Sequence, residues 1–336
     1  MPAATFAEDR SMPDHQPAVS VVIIFLNPSA AFLQEAIASV RAQTLQDWEL
    51  LLVDDGSTDD STALARAAAA ANPERIQYLE HPGHANRGMS ASRNRGIAAA
   101  RGRYLAFLDA DDVYLPERLE HHVRILDRHL DVAMLYGPTL YWHSWSPEAV
   151  QEDVVGRLGF AVDVAHPAPS ILRGFMSESG IVPGVCSLTI RREKILAING
   201  FEETFRGCYE DQAFLSKICA KESVMLTGRC LDYYRQHAAS CCAQAQDSGE
   251  YSEHLPHPAR ERFLRWLVGY LAEQGVHDPA LERLLARDLW PYEHPRLYRS
   301  FIMPLLVAKL RLRFWIKQTR RRIEGRPPLP ELAIRI

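Results

Sequence analysis

The sequence predicts an α/β fold, a mainly parallel sheet with helices on both faces, followed by a helical C-terminal extension. Three observations predict it. Short, continuously apolar, β-branched runs alternate with helical segments at crossover spacing. Three of these runs stop at polar or acidic residues: at Asn27, at Asp54 and Asp55, and at Asp109 and Asp111. Beyond about residue 243 the composition shifts and the remainder reads as helices.

In chain order, Met1 to about Pro17 is polar, with several prolines and acids, and reads as a flexible N-terminus over 1–18. It lacks the basic start and apolar core of a signal peptide. Val19–Phe25 is a buried strand broken by Asn27-Pro28-Ser29, and Ala31–Gln43 is a helix with one apolar face. Trp48–Val53 is the second strand. Ser57, Thr58 and Asp59 cap an alanine-rich helix that Asn72-Pro73 ends. A short strand at Ile76–Leu79 and a polar loop at 84–88 lead into a helix over Ser90–Ala100. The strand Tyr104–Asp109 follows, then a helix from Pro116 to His129, whose His121 and His122 are expected to be exposed. Val132–Tyr136 closes this half. Residues 137–183 are irregular, with Trp142 and Trp145 among prolines, as in loops that build binding surfaces. Ser187–Ile190 is strand-like, and Arg192–Ile198 is a short helix. Tyr209-Glu210-Asp211-Gln212 opens a helix running to Lys221. Strands near Val224–Leu226 and Leu231–Tyr234 precede Arg235-Gln236-His237, and Gln244–Gly249 reads as a linker. The expected domains are 19–243 and a helical region over 244–336.

A chain of 336 residues fits one large domain, or a domain with appendages. The net charge of −4 argues against nucleic acid as its main partner. Six scattered cysteines without a Cys-x-x-Cys pair suit neither a disulfide scaffold nor a structural zinc site, and the reducing cytoplasm is the expected compartment. No apolar window of about eighteen residues is present for a membrane span. The turn after the first strand lacks Gly-x-Gly-x-x-Gly, and neither a Walker-type loop nor a Gly-x-Ser-x-Gly elbow occurs.

What remains is a set of carboxylates at strand ends, where open α/β sheets bind ligands. Asp109 and Asp111 project from the same side of an extended chain, about 7 Å apart. Such a pair can hold a hard divalent cation against a phosphate, or simply form an acidic loop capping the helix at Pro116. Glu210-Asp211 stands at a helix N-terminus, which favours ionised carboxylates.

Taken together these segments resemble family 2 glycosyltransferases of the GT-A fold. The resemblance rests on Val19–Ile24 with Asn27, Ala42-Gln43-Thr44, Trp48–Asp59, Ser92–Ile97, Gly102–Asp112, Glu210-Asp211-Gln212 and Arg235-Gln236-His237 with Ser240. It covers about Val19 to Cys242, and departs where many members carry a Pro and an aromatic before the Asn; here Phe25 and Leu26 stand there. The resemblance implies transfer of a sugar, with inversion, from a nucleotide-sugar such as a UDP-sugar to a glycan or lipid-linked acceptor, in cell-envelope polysaccharide synthesis. It also implies donor contacts from Asn27, Asp54, Asp55, Arg87, Arg95, Asp109 and Arg235. Asp111, Asp109 and His237 would hold Mg²⁺ or Mn²⁺. Asp211 would be the general base, with Glu210 orienting it. The reading from another class is an inactive nucleotide-sugar-binding or membrane-docking protein on the same fold.

From Arg296 to Arg326, ten Lys or Arg residues accompany one Glu, interleaved with Leu305, Leu306, Leu310, Phe314 and Trp315. That composition suits peripheral contact with an anionic lipid surface, on the inner face of the membrane; a core-packing helix with a solvated basic side has the same pattern.

Overall fold

The apolar runs Val19–Phe25 and Trp48–Asp54 are buried along their whole length, as strands covered on both faces must be. The computed structural model describes residues 15–177, 182–252 and 255–323. Most of the expected flexible N-terminus, and the end of the basic stretch at 324–326, lie outside the described residues.

The first half contains β1 (Val19–Phe25), α1 (Ala30–Arg41), β2 (Trp48–Asp54), α2 (Ser61–Ala71), β3 (Ile76–Glu80), α3 (Met89–Ala99) and β4 (Tyr104–Asp109). Then come β5 (Val113–Tyr114), α4 (Arg118–Arg128), β6 (Val132–Tyr136), β7 (Leu140–Trp142), β8 (Val154–Val155), β9 (Ala165–His166) and α5 (Ser170–Met176). The second half holds β10 (Thr189–Arg191), α6 (Arg192–Ala197), α7 (Glu210–Lys221), β11 (Ser223–Leu226), β12 (Asp232–Arg235) and α8 (Cys241–Ser248). It ends in α9 (Pro258–Glu273), α10 (Pro279–Glu293), α11 (Pro295–Leu297), a π-helical turn at Tyr298–Ile302 and α12 (Met303–Ile323).

Eight strands form one sheet in the order β3-β2-β1-β4-β10-β6-β11-β9. The strands β3, β2, β1 and β4 are parallel, as are β6 and β11; β10 runs antiparallel to both β4 and β6. The sheet is therefore mainly parallel with a reversed strand inserted at its centre. A second sheet has the order β5-β12-β7-β8. Within the first sheet, register pairs Phe25 with Asp54 and Ile24 with Asp109, so the carboxyl ends of β1, β2 and β4 lie side by side.

Alternation along the strands divides the core in two. Val22, Ile24, Leu51, Val53, Leu105 and Phe107 pack with Phe214 and Ile218 of α7, and with Phe263, Leu267 and Leu285 of α9 and α10. Val21, Ile23, Leu50, Leu52, Ala106 and Leu108 pack with Leu33 and Ile37 of α1 and with Leu119 and Leu126 of α4.

Three local expectations are corrected. Gln244–Gly249 is not a linker: Ser240 caps α8 by accepting a hydrogen bond from the Ala243 N–H, and the helix runs to Ser248. His121 and His122 are buried, where they bond Thr227 and Thr189 at 2.8 and 2.9 Å. Burial holds both imidazoles below their ordinary proton affinity, so they are neutral packing groups. The irregular stretch after Gly137 contains β7, β8, β9 and α5 rather than loops alone.

Candidate active site

The site is built where β1, β2 and β4 end and α7 begins. Gly96 lets α3 approach β1 closely: a Cβ there would stand 2.5 Å from Val22 Cγ1. This seats Arg93 of α3 over the end of β4, with its side chain only 2% exposed. Its guanidinium donates to Asp109 Oδ1 at 2.8 Å and to Glu210 Oε1 at 2.5 Å. One buried cation thus joins the end of β4 to the first residue of α7. Asp211 follows, half-buried, its Oδ1 accepting from the Gln212 N–H at 2.7 Å.

Burial sets the electrostatics of the acid pair. It raises the proton affinity of Glu210 to about 7, opposed by Arg93, and raises that of Asp211 above the usual aspartate value. Among the described residues, the second Glu210 oxygen is buried without a hydrogen-bond partner. The start of α7 is fixed from below. Tyr209, in the left-handed region at φ 73°, stacks on Phe263 of α9 and bonds His257 at 3.1 Å.

Asp111 is partly exposed, and its Oδ2 lies 2.8 Å from His237 Nε2. Asp109 keeps a third of its side-chain surface exposed beside it in sequence. Among the described residues, no group of three or more His, Cys, Asp or Glu side chains is assembled to hold a metal ion. Asp112 is fully buried, accepts from the Arg235 N–H at 2.9 Å, and is held well above the ordinary carboxylate range by burial and by Asp111 and Asp109.

Several residues expected to face a donor also hold partners within the fold. Asp54 is fully buried and accepts from the N–H groups of Gly56 and Ser57, from Thr62 Oγ1 and from Tyr78 OH. Asp55 accepts from the N–H groups of Arg87 and Gly88 and from Ser92 Oγ. These carboxylates hold loops 54–58 and 86–88 together. The exposed Asn27 closes the same surface, accepting from the Thr58 N–H at 2.7 Å. Arg235 does not present a free guanidinium: it lies over Phe32, Trp142 and Trp145, bonds the Asp111 carbonyl at 2.7 Å and pairs with Glu35 at 2.5 Å. Arg87 and Arg95 are exposed and line a concavity of about 540 Å³ with His81, Asn94 and Glu203.

The sequence offers Arg93 beside Arg87 and Arg95 as a contact for the pyrophosphate or base, but not its role as the buried bridge between Asp109 and Glu210. The signal was its helical phase: Arg93, Gly96, Ile97 and Ala100 follow the i, i+3, i+4, i+7 spacing of a buried face, and Arg95 does not.

The chain is similar to several known proteins. Residues 20–148 match the family described as Glycosyl transferase family 2. An uncharacterized protein of Sinorhizobium fredii is 43% identical over 198 residues, 58% of this chain and 19% of that one. An uncharacterized glycosyltransferase of Methanocaldococcus jannaschii is 33% identical over 121 residues, 36% of this chain and 41% of that one. The chain therefore spans less than half the length of these relatives. Among solved structures, S. aureus TarS 1-349 in complex with UDP-GlcNAc superposes with a TM-score of 0.59 at 16% identity, covering 84% of this chain and 76% of that one. The mannosyltransferase PcManGT of Pyrobaculum calidifontis, in complex with GDP-Man and Mn²⁺, gives 0.53 at 16% identity, covering 90% and 75%. The family match spans the strands that carry Asn27, Asp54, Asp55, Asp109 and Asp111, and the architecture of the chain is that of the GT-A fold.

Proposed function

We propose that the chain transfers a sugar from a nucleoside diphosphate-sugar, a UDP-sugar in this reading, to a hydroxyl of a glycan or lipid-linked acceptor, with inversion at the anomeric carbon. The observation that carries the proposal is the Arg93 bridge between Asp109 and Glu210, which draws the strand-end carboxylates and the helix-start acid pair into one site. The complexes of TarS with UDP-GlcNAc and of PcManGT with GDP-Man and Mn²⁺ support the donor class and a divalent ion.

In this reading Asp211 takes the acceptor's proton as the acceptor oxygen bonds to the anomeric carbon and the bond from that carbon to the diphosphate breaks. Partial burial strengthens it as a base while leaving one face open to the acceptor. Glu210, held by Arg93, fixes the start of α7 and so the aim of Asp211. Asp109 reaches the donor ribose. Asn27, with the loops that Asp54 and Asp55 hold, forms the cradle for the base. Arg87 and Arg95 flank the donor's entry, and Arg235 acts through the Asp111 carbonyl and Asp112.

An Asp111 carboxylate beside His237, with Asp109 nearby in the chain, is a hard donor set that suits Mg²⁺ or Mn²⁺ completed by water and diphosphate oxygens. When bound, the ion neutralises charge on the departing nucleoside diphosphate. The acceptor belongs, in this proposal, to a cell-envelope glycan assembled at the cytoplasmic face.

A panel of nucleotide sugars, assayed for cation-dependent release of nucleoside diphosphate, tests the activity. Asp211→Asn should abolish transfer and leave donor binding intact. An active Asp211→Asn variant refutes the assignment of the base, and donor binding without turnover in the parent protein favours the inactive binding protein instead.

A further inference from the structure

The C-terminal helix has two apolar stripes where one suffices for packing. The first, with Met303, Leu306, Val307, Leu310 and Phe314, is buried or half-buried. The second, with Leu305, Leu312, Trp315, Ile316 and Ile323, stays exposed; Leu305 retains 71% of its surface, Trp315 64% and Ile323 81%. Positions spaced by three, four and seven residues share one arc of about 100° on a helix. The exposed row is thus a strip about five turns long, well beyond the single apolar side chains normal on a surface.

The charge around this strip is of one sign. Helix α12 carries seven Lys or Arg and no Asp or Glu. On the helical wheel Lys309 and Arg313 border the strip on one side, and Arg311 and Arg322 on the other. No described helix is long and apolar enough to cross a membrane. An apolar strip between basic margins has the cross-section of a helix lying in the plane of a bilayer surface. A second copy of this chain fits it poorly, since pairing two such strips sets the basic margins of one helix against those of the other.

We infer that the outer face of α12 docks onto an anionic phospholipid bilayer, with Leu305, Leu312, Trp315 and Ile316 entering the acyl boundary and the bordering Lys and Arg on the headgroup phosphates. Proline supports the arrangement. Pro304 has no N–H and cannot continue the preceding turn regularly, and the π-helical turn at Tyr298–Ile302 stands immediately before α12. The chain breaks from helical geometry at His294 (φ −126°, ψ 54°) after α10, and α11, the π-helical turn and α12 then follow without a gap. The inference is independent of the sugar-transfer reading, since it uses no residue of that site.

Flotation of the full chain with phosphatidylcholine vesicles, with and without phosphatidylglycerol, tests it. The chain should float with the anionic vesicles alone, be released by high salt, and show a blue-shifted tryptophan emission on binding. Lys309→Glu with Arg313→Glu should weaken binding by at least about fivefold for each charge lost. Leu305→Glu with Leu312→Glu should abolish it. Both positions are exposed, so circular dichroism should be unchanged, and that check separates lost docking from lost folding. Equal flotation with neutral vesicles, no flotation at low salt, or binding unchanged in both variants overturns the inference. So does sedimentation showing that Leu305→Glu with Leu312→Glu dissolves a dimer, which would give the face to a second copy.

Discussion

Arg93 is the residue on which the site turns. Its guanidinium is buried between Asp109 and Glu210, and removing one partner of a buried ion pair costs about 3–5 kcal/mol because the other charge is left uncompensated. Arg93→Ala is therefore expected to lower stability by roughly that amount in urea denaturation. Adding Glu210→Gln to it should restore part of the loss. Arg93→Lys keeps the charge but cannot span both carboxylates, so it should retain more stability than Arg93→Ala while losing turnover. Equal stability of Arg93→Ala and the parent would contradict the bridge. The acids at the strand ends were legible in the sequence, because a carboxylate directly after a continuously apolar run marks the point where a buried strand reaches the surface. Which of them remain open to a ligand was not. Asp54, Asp55, Asp112 and Arg235 also bond or pack on partners such as Tyr78, Ser92 and Trp142, which are brought in from distant segments.

At the scale of elements, α3 on β1 is the contact that aims Arg93. Gly96→Ala places a methyl 2.5 Å from Val22 Cγ1, and overpacking of this kind costs about 1–3 kcal/mol. Its melting temperature should fall, and donor affinity should fall with it as α3 is pushed from the sheet; a variant as stable as the parent would show that β1 yields freely. The parallel strands were readable because burial on both faces makes them continuously apolar. The reversal of β10 was not, since three residues carry no sign of their direction and the chain's route decides it. Helix α8 has the composition of a linker because its Gln and Ser residues are polar and only Ala245 is buried.

For the whole molecule, the helices after residue 257 are more than an appendage. Phe263, Leu264, Leu267 and Leu271 of α9 belong to the same core as Phe214 of α7 and Phe107 of β4. Thermal unfolding should then be a single transition, with far-ultraviolet dichroism and tryptophan fluorescence coinciding. Two separated transitions would mean that the C-terminal helices form a unit of their own. Sequence composition marked where these helices begin but could not show what they cover, because an amphipathic helix does not name its partner.

The reversed strand at the centre of the sheet also sets an order of events during synthesis. Ile190 pairs with Leu105, 85 residues earlier in the chain. The strands β3, β2, β1 and β4 can join as soon as they leave the ribosome. Until residues 189–191 arrive, Tyr104, Leu105 and Ala106 present an unpaired, strongly apolar edge, which is a template for pairing with another chain. The strand that carries Asp109 is thus a point of misassembly risk in the nascent protein. Slowing translation between β4 and β10 should raise the yield lost to aggregation, and a chaperone that shields strand edges should recover it.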